Sequence, residues 1–336
     1  AEDEISAIGT AIGSYYAGVP ALTCTSGPGL SLKQEFIGYA TAAEIPIIII
    51  DVQRSGPSTG MPTKTEQSDL LAVIYGSHGD SAKIVFAVHD IIDCFYAPIL
   101  ARYLAEKLRL PVFIMSDFQM ANSYKVLDKP QICEMEDSNK IPDFILEHFG
   151  LARLPEHIEM VRTEQAVPGT PGKMRRVTGL NTDQTGSVNY FSKASQRSHA
   201  VRNEKVHCVQ RALKKPELFG GREEGDVLIV GWGSAKGAVE EAVSYCQNQG
   251  LAVGGMCLRF VNPLPPMLKE IFSRFKKIVT VELAYGDPQK HPPLAMILRA
   301  ETLADVQAII SRVTGRPITP RSIETKVKEL FHAGVA

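Results

Sequence analysis

Apolar residues recur along the first part of the chain in two alternating rhythms. From Glu4 to Gly18, residues Ile5, Ile8, Ile12, Tyr15 and Tyr16 share one face of a 3.6-residue period, and Gly18 offers a helix stop. Ala21 to Thr25 then reads as a short strand running into a Ser26-Gly27-Pro28-Gly29 turn. Leu32, Phe36, Tyr39, Ala40 and Ala43 return to helical spacing. Ile45 to Val52 is almost continuously apolar, as a strand buried on both faces should be. A strand at Lys83 to Val88, a helix at Ile91 to Leu108 and a strand at Pro111 to Asp117 continue the alternation. Repeated strand–helix units predict a parallel sheet with helices on both faces.

The pattern weakens from Lys125 to Arg222, where stretches such as Val167-Pro168-Gly169-Thr170-Pro171-Gly172 read as extended surface structure. A segment of that length without periodicity is expected to be interfacial or functional. Periodicity resumes at Asp226. A strand at Val227 to Val230, a helix at Ala235 to Asn248, a strand at Leu251 to Leu258, a helix at Pro266 to Arg274 and a strand at Lys277 to Leu283 follow. A last helix, Leu294 to Leu303, is set off by Pro292-Pro293. The fold class is α/β, in two domains divided at 222/223.

Composition narrows the functions. The chain has 336 residues, long enough to bury a core in each domain, and a formal charge of -1, which gives no electrostatic footprint for nucleic acid. Its longest apolar run, Ile45 to Ile50 around Pro46, is too short to span a bilayer, and no secretion signal opens the sequence. Cys24, Cys94, Cys133, Cys208, Cys246 and Cys257 form no CxxC pair, so no zinc or iron–sulfur site is expected from this chain, and scattered thiols suit a reducing cytoplasm. The sequence opens on a helix where an α/β domain should open on a strand; a fragment lacking its first strand is expected.

Five places could carry chemistry. Gly231-Trp232-Gly233-Ser234-Ala235-Lys236-Gly237 follows a strand and opens a helix, but its third glycine falls one residue late. No acidic residue ends the next strand either, so a tight strand-to-helix turn is favoured over a dinucleotide site. Thr25-Ser26-Gly27-Pro28-Gly29 lies where a parallel strand's carboxyl end meets a helix N-terminus, the usual ligand position in such sheets, or is a plain turn. The loop from Asp51 to Thr63 joins Arg54 to the hydroxyls of Ser58, Thr59 and Thr63 on a glycine-bearing backbone, which suits a small carboxylate or a solvated surface. Glu4 fits a helix's first turn on charge alone, and His78 is either a proton carrier or a surface group.

Taken in order, Glu2-Asp3-Glu4-Ile5-Ser6-Ala7-Ile8-Gly9, Thr25-Ser26-Gly27-Pro28-Gly29, Asp51 through Asp69, Tyr75-Gly76-Ser77-His78-Gly79, Pro168-Gly169-Thr170-Pro171-Gly172 and Gly231-Trp232-Gly233-Ser234 resemble the alpha subunit of the 2-oxoacid:ferredoxin oxidoreductases, and most closely the 2-oxoglutarate branch. The resemblance implies a thiamine-diphosphate-enzyme pyrimidine-binding domain over residues 1–222, followed by a transketolase C-terminal-like α/β domain over 223–336. It implies that Glu4 is the activating glutamate that bonds to N1' of the aminopyrimidine, and that Ser26, Gly27, Pro28 and Gly29 line the cofactor. Arg54 and Thr63, with Ser58 and Thr59, would bind the 2-oxoacid carboxylate. The family carries a further N-terminal stretch with a substrate-contacting loop, and the loop from Glu282 to Pro293 is longer here than in many relatives. Gly286-Asp287-Pro288 does not complete the magnesium and diphosphate motif of thiamine enzymes, so magnesium and a 4Fe–4S cluster are expected from a beta subunit. The implied partners are that subunit, in a heterodimer or heterotetramer, and ferredoxin. The implied reaction oxidises a 2-oxoacid with coenzyme A to acyl-CoA and carbon dioxide. The competing readings are an alpha subunit acting on pyruvate or a branched-chain 2-oxoacid, a nicotinamide-dependent dehydrogenase and a non-catalytic scaffold.

Overall fold

The computed structural model describes residues 1–132, 137–163, 165–174, 176–332 and 334; Cys133 lies outside them. Helix α1 (Glu4–Tyr16) is opened by Asp3, whose carboxylate accepts the Ser6 N–H at 2.7 Å. Its inward face is Ile8, Ala11, Ile12 and Tyr15, while Ile5, expected on that face, stays exposed. Strand β1 (Leu22–Thr25) leads directly into α2 (Gly27–Ala43). Ser26 is the N-cap and Gly27-Pro28-Gly29 the first helical turn, not a turn preceding the helix. Proline belongs there because an N–H in that turn would have no helical partner.

Strand β2 (Ile47–Gln53), strand β3 (Ile84–Ala87), helix α4 (Ile91–Leu108) and strand β4 (Pro111–Asp117) complete the expected series, with an unexpected short helix, α3 (Leu70–Tyr75), between β2 and β3. Ile47, Ile48 and Ile49 of β2 are buried, as a strand covered on both faces requires. The short helices α5 (Phe118–Ala121) and α6 (Asp143–His148) follow. The segment expected to be irregular to residue 222 also holds a long helix, α7 (Ser192–Ala212). Its buried stripe is Ser198, Val201, Arg202, Lys205 and Val209, so a search for apolar periodicity passes over it.

The second half comprises β5 (Gly225–Trp232), α8 (Lys236–Asn248), β6 (Val253–Leu258), β7 (Phe260–Asn262), α9 (Leu268–Phe272), β8 (Phe275–Glu282), α10 (Pro293–Thr302), β9 (Val306–Ser311) and α11 (Pro320–His332). Helix α10 is thus not the last element. Strand β9 sits at a sheet edge and α11 buries only Ile323 and Val327, which leaves each a faint sequence signal. The first sheet runs β1-β2-β4-β3-β7, parallel except for β7, which crosses from the second half to pair antiparallel with β3. The second sheet, β6-β5-β8-β9, is parallel throughout. Arg259, beside β7, donates to Asp93 of α4 at 2.5 Å and covers the Phe149 ring at 4.8 Å, so the two halves share a polar and an aromatic contact. No helix among the described residues is long and apolar enough to cross a membrane.

One buried ion pair ties α7 to the first sheet's helices. Glu44 ends α2 in the left-handed conformation, at φ 53°. Its carboxylate accepts the Val161 and Arg162 N–H groups at 2.9 and 2.8 Å and the Lys205 ammonium at 2.5 Å. Burial works against the charged carboxylate, yet Lys205 and the two N–H groups hold its pKa below the usual value. Glu44→Gln keeps an acceptor but leaves the Lys205 ammonium buried and unpaired, at a cost of about 3–5 kcal/mol. Denaturant unfolding should show that loss, and Glu44→Gln/Lys205→Met should recover most of it. An unchanged midpoint for Glu44→Gln would contradict this account of the anchor.

Candidate functional site

Strands β1, β2 and β4 are parallel and neighbouring, so Thr25, Gln53 and Asp117 end at one edge of the first sheet. Ligands collect at such an edge because helix N-termini present unpaired N–H groups there. The first turn of α2 sits at this edge and α1 begins against it. At Gly29 the approach is so close that a Cβ would lie 2.2 Å from Thr25 Oγ1, 2.7 Å from Glu4 Cγ and 3.0 Å from Glu4 Oε1. Only glycine fits, and its bare backbone is what lets the Glu4 carboxyl rest on the helix N-terminus. Lys33, wholly buried one turn on, donates to the Glu4 carbonyl at 2.9 Å and to Thr23 Oγ1 at 3.2 Å, fixing the backbone that carries Glu4. Burial lowers the Lys33 pKa, and the nearby Glu4 charge partly restores it. Lys33 escaped the sequence reading because a lysine on a helix is ordinarily a solvated residue.

The second loop leaves β2 at Arg54. Ser55 N–H donates to the Lys64 carbonyl at 2.9 Å and Met61 N–H to the Ser55 carbonyl at 3.1 Å, so the loop closes on itself. Its two stems, which carry Arg54 and Thr63, are therefore held side by side. Gly60 has φ +37°, and a Cβ there would meet the Ser55 carbonyl oxygen at 2.3 Å. Ser58, Thr59 and Thr63 are exposed on the loop. Arg54 is half-buried and its Nε has no hydrogen-bond partner among the described residues, which leaves donor capacity for an anion. Asp69 bridges the two loops: it feels the Arg54 charge and accepts the Gly27 N–H. Glu4, the first turn of α2, Asp69 and Arg54 thus form one continuous chain of neighbours.

Thr65, Glu66 and Gln67, quoted within the resemblance but given no role, are buried. Gln67 explains its own burial. Its Nε2 donates to the Trp232 carbonyl at 3.0 Å, its Oε1 accepts the Leu283 N–H at 3.0 Å, and its backbone N–H donates to the Leu283 carbonyl at 2.6 Å. The carbonyl ends of β5 and β8 are thereby bolted to the candidate loop. Gly233, at φ +58°, would place a Cβ 2.9 Å from Gln67 Nε2, and Ser234 hydroxyl donates to Asp117. The glycine-rich stretch at 231–234 is therefore a tight turn packed against the first sheet's edge, as the late glycine suggested. His78 is exposed, its ring over Gly38, and makes no part of this edge. The 168–172 loop adjoins Val167, which packs on Gly18 beyond the far end of α1, about 18 Å along the helix from Glu4.

A parallel α/β sheet with a ligand edge, joined to a second parallel α/β unit, is the architecture of the thiamine-diphosphate enzymes expected above. Residues 1–178 match the family described as pyruvate flavodoxin/ferredoxin oxidoreductase, thiamine diphosphate-binding, and residues 225–323 match pyruvate:ferredoxin oxidoreductase core domain II. The chain belongs to the pyruvate flavodoxin/ferredoxin oxidoreductase family. The 2-oxoglutarate oxidoreductase subunit KorA of Mycobacterium tuberculosis is 35% identical over 92% of this chain and 46% of its own length. The 2-oxoglutarate synthase subunit KorA of Methanocaldococcus jannaschii is 33% identical over 85% of this chain and 75% of its own. Among solved structures, 2-oxoglutarate:ferredoxin oxidoreductase from Magnetococcus marinus, with 2-oxoglutarate, coenzyme A and succinyl-CoA bound, superposes with a TM-score of 0.80. It is 34% identical, and the match covers 98% of this chain and 56% of that one. A split-gene transketolase, 14% identical with a TM-score of 0.50, shares the fold. The chain spans about half the length of the M. tuberculosis relative.

Gly29 offers a direct check on the site's geometry. In Gly29→Ala the new methyl must displace Thr25 and the Glu4 side chain, so the protein should lose stability by about 1–3 kcal/mol. Gly13→Ala in α1, where a Cβ meets nothing within 4 Å, is the control and should be neutral or slightly stabilising. Equal melting temperatures for the two variants would mean that Glu4 does not rest on Gly29.

Proposed function

We propose that this chain is the alpha-type part of a thiamine-diphosphate-dependent 2-oxoacid:ferredoxin oxidoreductase, of the branch that uses 2-oxoglutarate. The observation that carries this reading is the Glu4 carboxyl lying against the first turn of α2 with no side chain between them. An acid at that place, on bare backbone and beside helix N–H groups, suits the aminopyrimidine of the cofactor: Gly27 and Gly29, lacking a Cβ, let Asp69 and Glu4 come up against the turn. Ser26, Gly27, Pro28 and Gly29 would line the ring, and the Glu4 carboxyl would hold a proton at N1'. When bound, thiamine diphosphate supplies the carbanion chemistry that breaks the bond between the carboxyl and keto carbons of a 2-oxoacid.

The remaining work falls to the second loop. Arg54 would grip the C1 carboxylate with its planar fork, and Thr63 beside it, with Ser58 and Thr59 at the tip, would add hydroxyl donors. Gln67 would keep this loop fixed to the second domain while substrate binds. The boundary between a pyrimidine-binding domain (1–222) and a transketolase C-terminal-like domain (223–336) belongs to the same proposal, with β7 lending a strand back across it. Magnesium and a 4Fe–4S cluster are assigned to a beta-type subunit, since this sequence carries neither the complete diphosphate motif nor paired cysteines. Coenzyme A is the acyl acceptor and ferredoxin the electron acceptor, in a cytoplasmic complex.

Two measurements test this reading. Calorimetry of the purified chain alone with thiamine diphosphate and magnesium should show weak binding or none, while the complex with its partner subunit binds tightly; tight, magnesium-dependent binding by the isolated chain would overturn the shared site. In the complex, the affinity for 2-oxoglutarate should fall in the order parent, Arg54→Lys, Arg54→Ala. Truncation of one side of a buried charged contact costs about 2–5 kcal/mol, more than tenfold in affinity. Unchanged kinetics in Arg54→Ala would remove the loop from the active site.

A further inference from the structure

Five buried polar atoms beside the first turn of α2 have no hydrogen-bond partner among the described residues: both carboxylate oxygens of Asp51, Oδ2 of Asp69, Oε2 of Glu66 and Nε of Arg54. Buried polar groups are ordinarily paired, and an unpaired charge in a dry site is costly. Here the groups gather in one place. Side chains alternate along a strand, so Asp51 and Gln53 of β2 project from the same face. Gln53 Oε1 accepts the Asp69 N–H at 3.2 Å, which brings Asp69 over that face. Asp69 stands just before α3 yet makes no side-chain cap bond to it. Its carboxylate is turned instead to α2, where Oδ1 lies 2.8 Å from the position a Gly27 Cβ would occupy.

The charge count decides what happens. Asp69 faces Glu66 and Arg54, and Asp51 faces Asp69. Of the other charged groups at this edge, Asp117 is occupied by Ser234 and the Met120 N–H, and Glu4 and Lys33 lie together on the far side of Gly29. Three carboxyls therefore share one guanidinium. Two like charges this close and this buried cannot both ionise at ordinary cost. Among the described residues no group of three or more acidic, His or Cys side chains is placed to hold a metal ion in their stead. A single proton between Asp51 and Asp69 resolves the count. Asp51 becomes a donor, Asp69 Oδ2 gains a partner, and the remaining charge stays on the carboxylate that faces the Gly27 N–H and Arg54.

We propose that Asp69 is a positioning residue of the active site, sharing one proton with Asp51 and holding the cofactor-facing turn at Gly27 and the substrate-facing Arg54 in register. Its role in turnover rests on the function proposed above; the shared proton does not. Burial raises both carboxyls. Repulsion by Asp69 raises Asp51 further, so that Asp51 stays protonated well above the usual range, and repulsion by Glu66 carries Asp69 to about 6 against the pull of the Gly27 N–H and Arg54. The ionised form of Asp69 that attracts Arg54 is thus present above about pH 6 and lost as pH falls through it.

The test has an arm free of activity. Infrared difference spectra of the full complex, with and without isotope-labelled aspartate, should show a protonated carboxyl band at pH 7.5 (about neutrality, where free aspartic acid is ionised), and the band should vanish in Asp51→Asn. In turnover, KM for the 2-oxoacid should rise as pH falls through about 6 in the parent. Asp69→Asn should raise KM roughly tenfold or more at neutral pH with a smaller change in kcat, and abolish that pH limb. Asp51→Asn, which keeps a neutral donor toward Asp69, should leave the limb near its parental position. Absence of the band in the parent overturns the shared proton. A parental KM and an intact limb in Asp69→Asn overturn its positioning role. A complex that turns over no 2-oxoacid would instead sink the proposed function, and the infrared result would still decide the proton.

Discussion

The whole site depends on one close approach: α1 begins so near the first turn of α2 that a single methyl at Gly29 has no room. That contact fixes the Glu4 carboxyl, and it is maintained from below by Lys33, which is buried at some electrostatic cost to donate to the Glu4 carbonyl. Both helices owe their position to β1 and β2, whose parallel pairing sets the sheet edge. A fold built of ordinary βα units is thereby made to hold an acid on bare backbone, at the N-terminus of a helix, in a place where side chains are normally excluded.

A second constraint locks the halves together. Gln67 spends its whole side chain on the carbonyl end of β5 and the N–H after β8, while Ser234 reaches back to Asp117. Strand β7 crosses in the same direction and pairs with β3. The loop bearing Arg54 therefore cannot shift without disturbing the second sheet. This explains why the stretch after β2 contains both exposed hydroxyls and buried polar residues: the first part is open to solvent, and the second part is structural.

Much of the fold was legible because apolar periodicity reports burial. The helix at 91–108 and the strand at 111–117 coincide with their expected bounds, and β1, β2 and β3 fall close to theirs, whereas the three-residue β7 was not expected. The helix α7 was not legible, since its inward stripe uses Arg202 and Lys205, whose burial depends on Glu44 more than a hundred and fifty residues earlier. Likewise Glu4, Arg54 and the Ser26–Gly29 turn could be singled out by residue type and position, but Asp51, Asp69 and Lys33 could not. Their importance lies in partners and missing partners, which only the packed chain displays. The 168–172 motif shows the converse: a distinctive sequence at the other end of α1 from the site.

The central claim is that the Glu4 carboxyl controls the protonation of the cofactor's aminopyrimidine. Its most direct measure is exchange of the thiazolium C2 proton in the complex of this chain with its partner subunit, comparing parent and Glu4→Gln. The amide keeps the shape of the side chain but cannot take or give a proton, so exchange should slow by about a hundred- to ten-thousand-fold while assembly and cofactor content are retained. Exchange at the parental rate in Glu4→Gln would contradict the account.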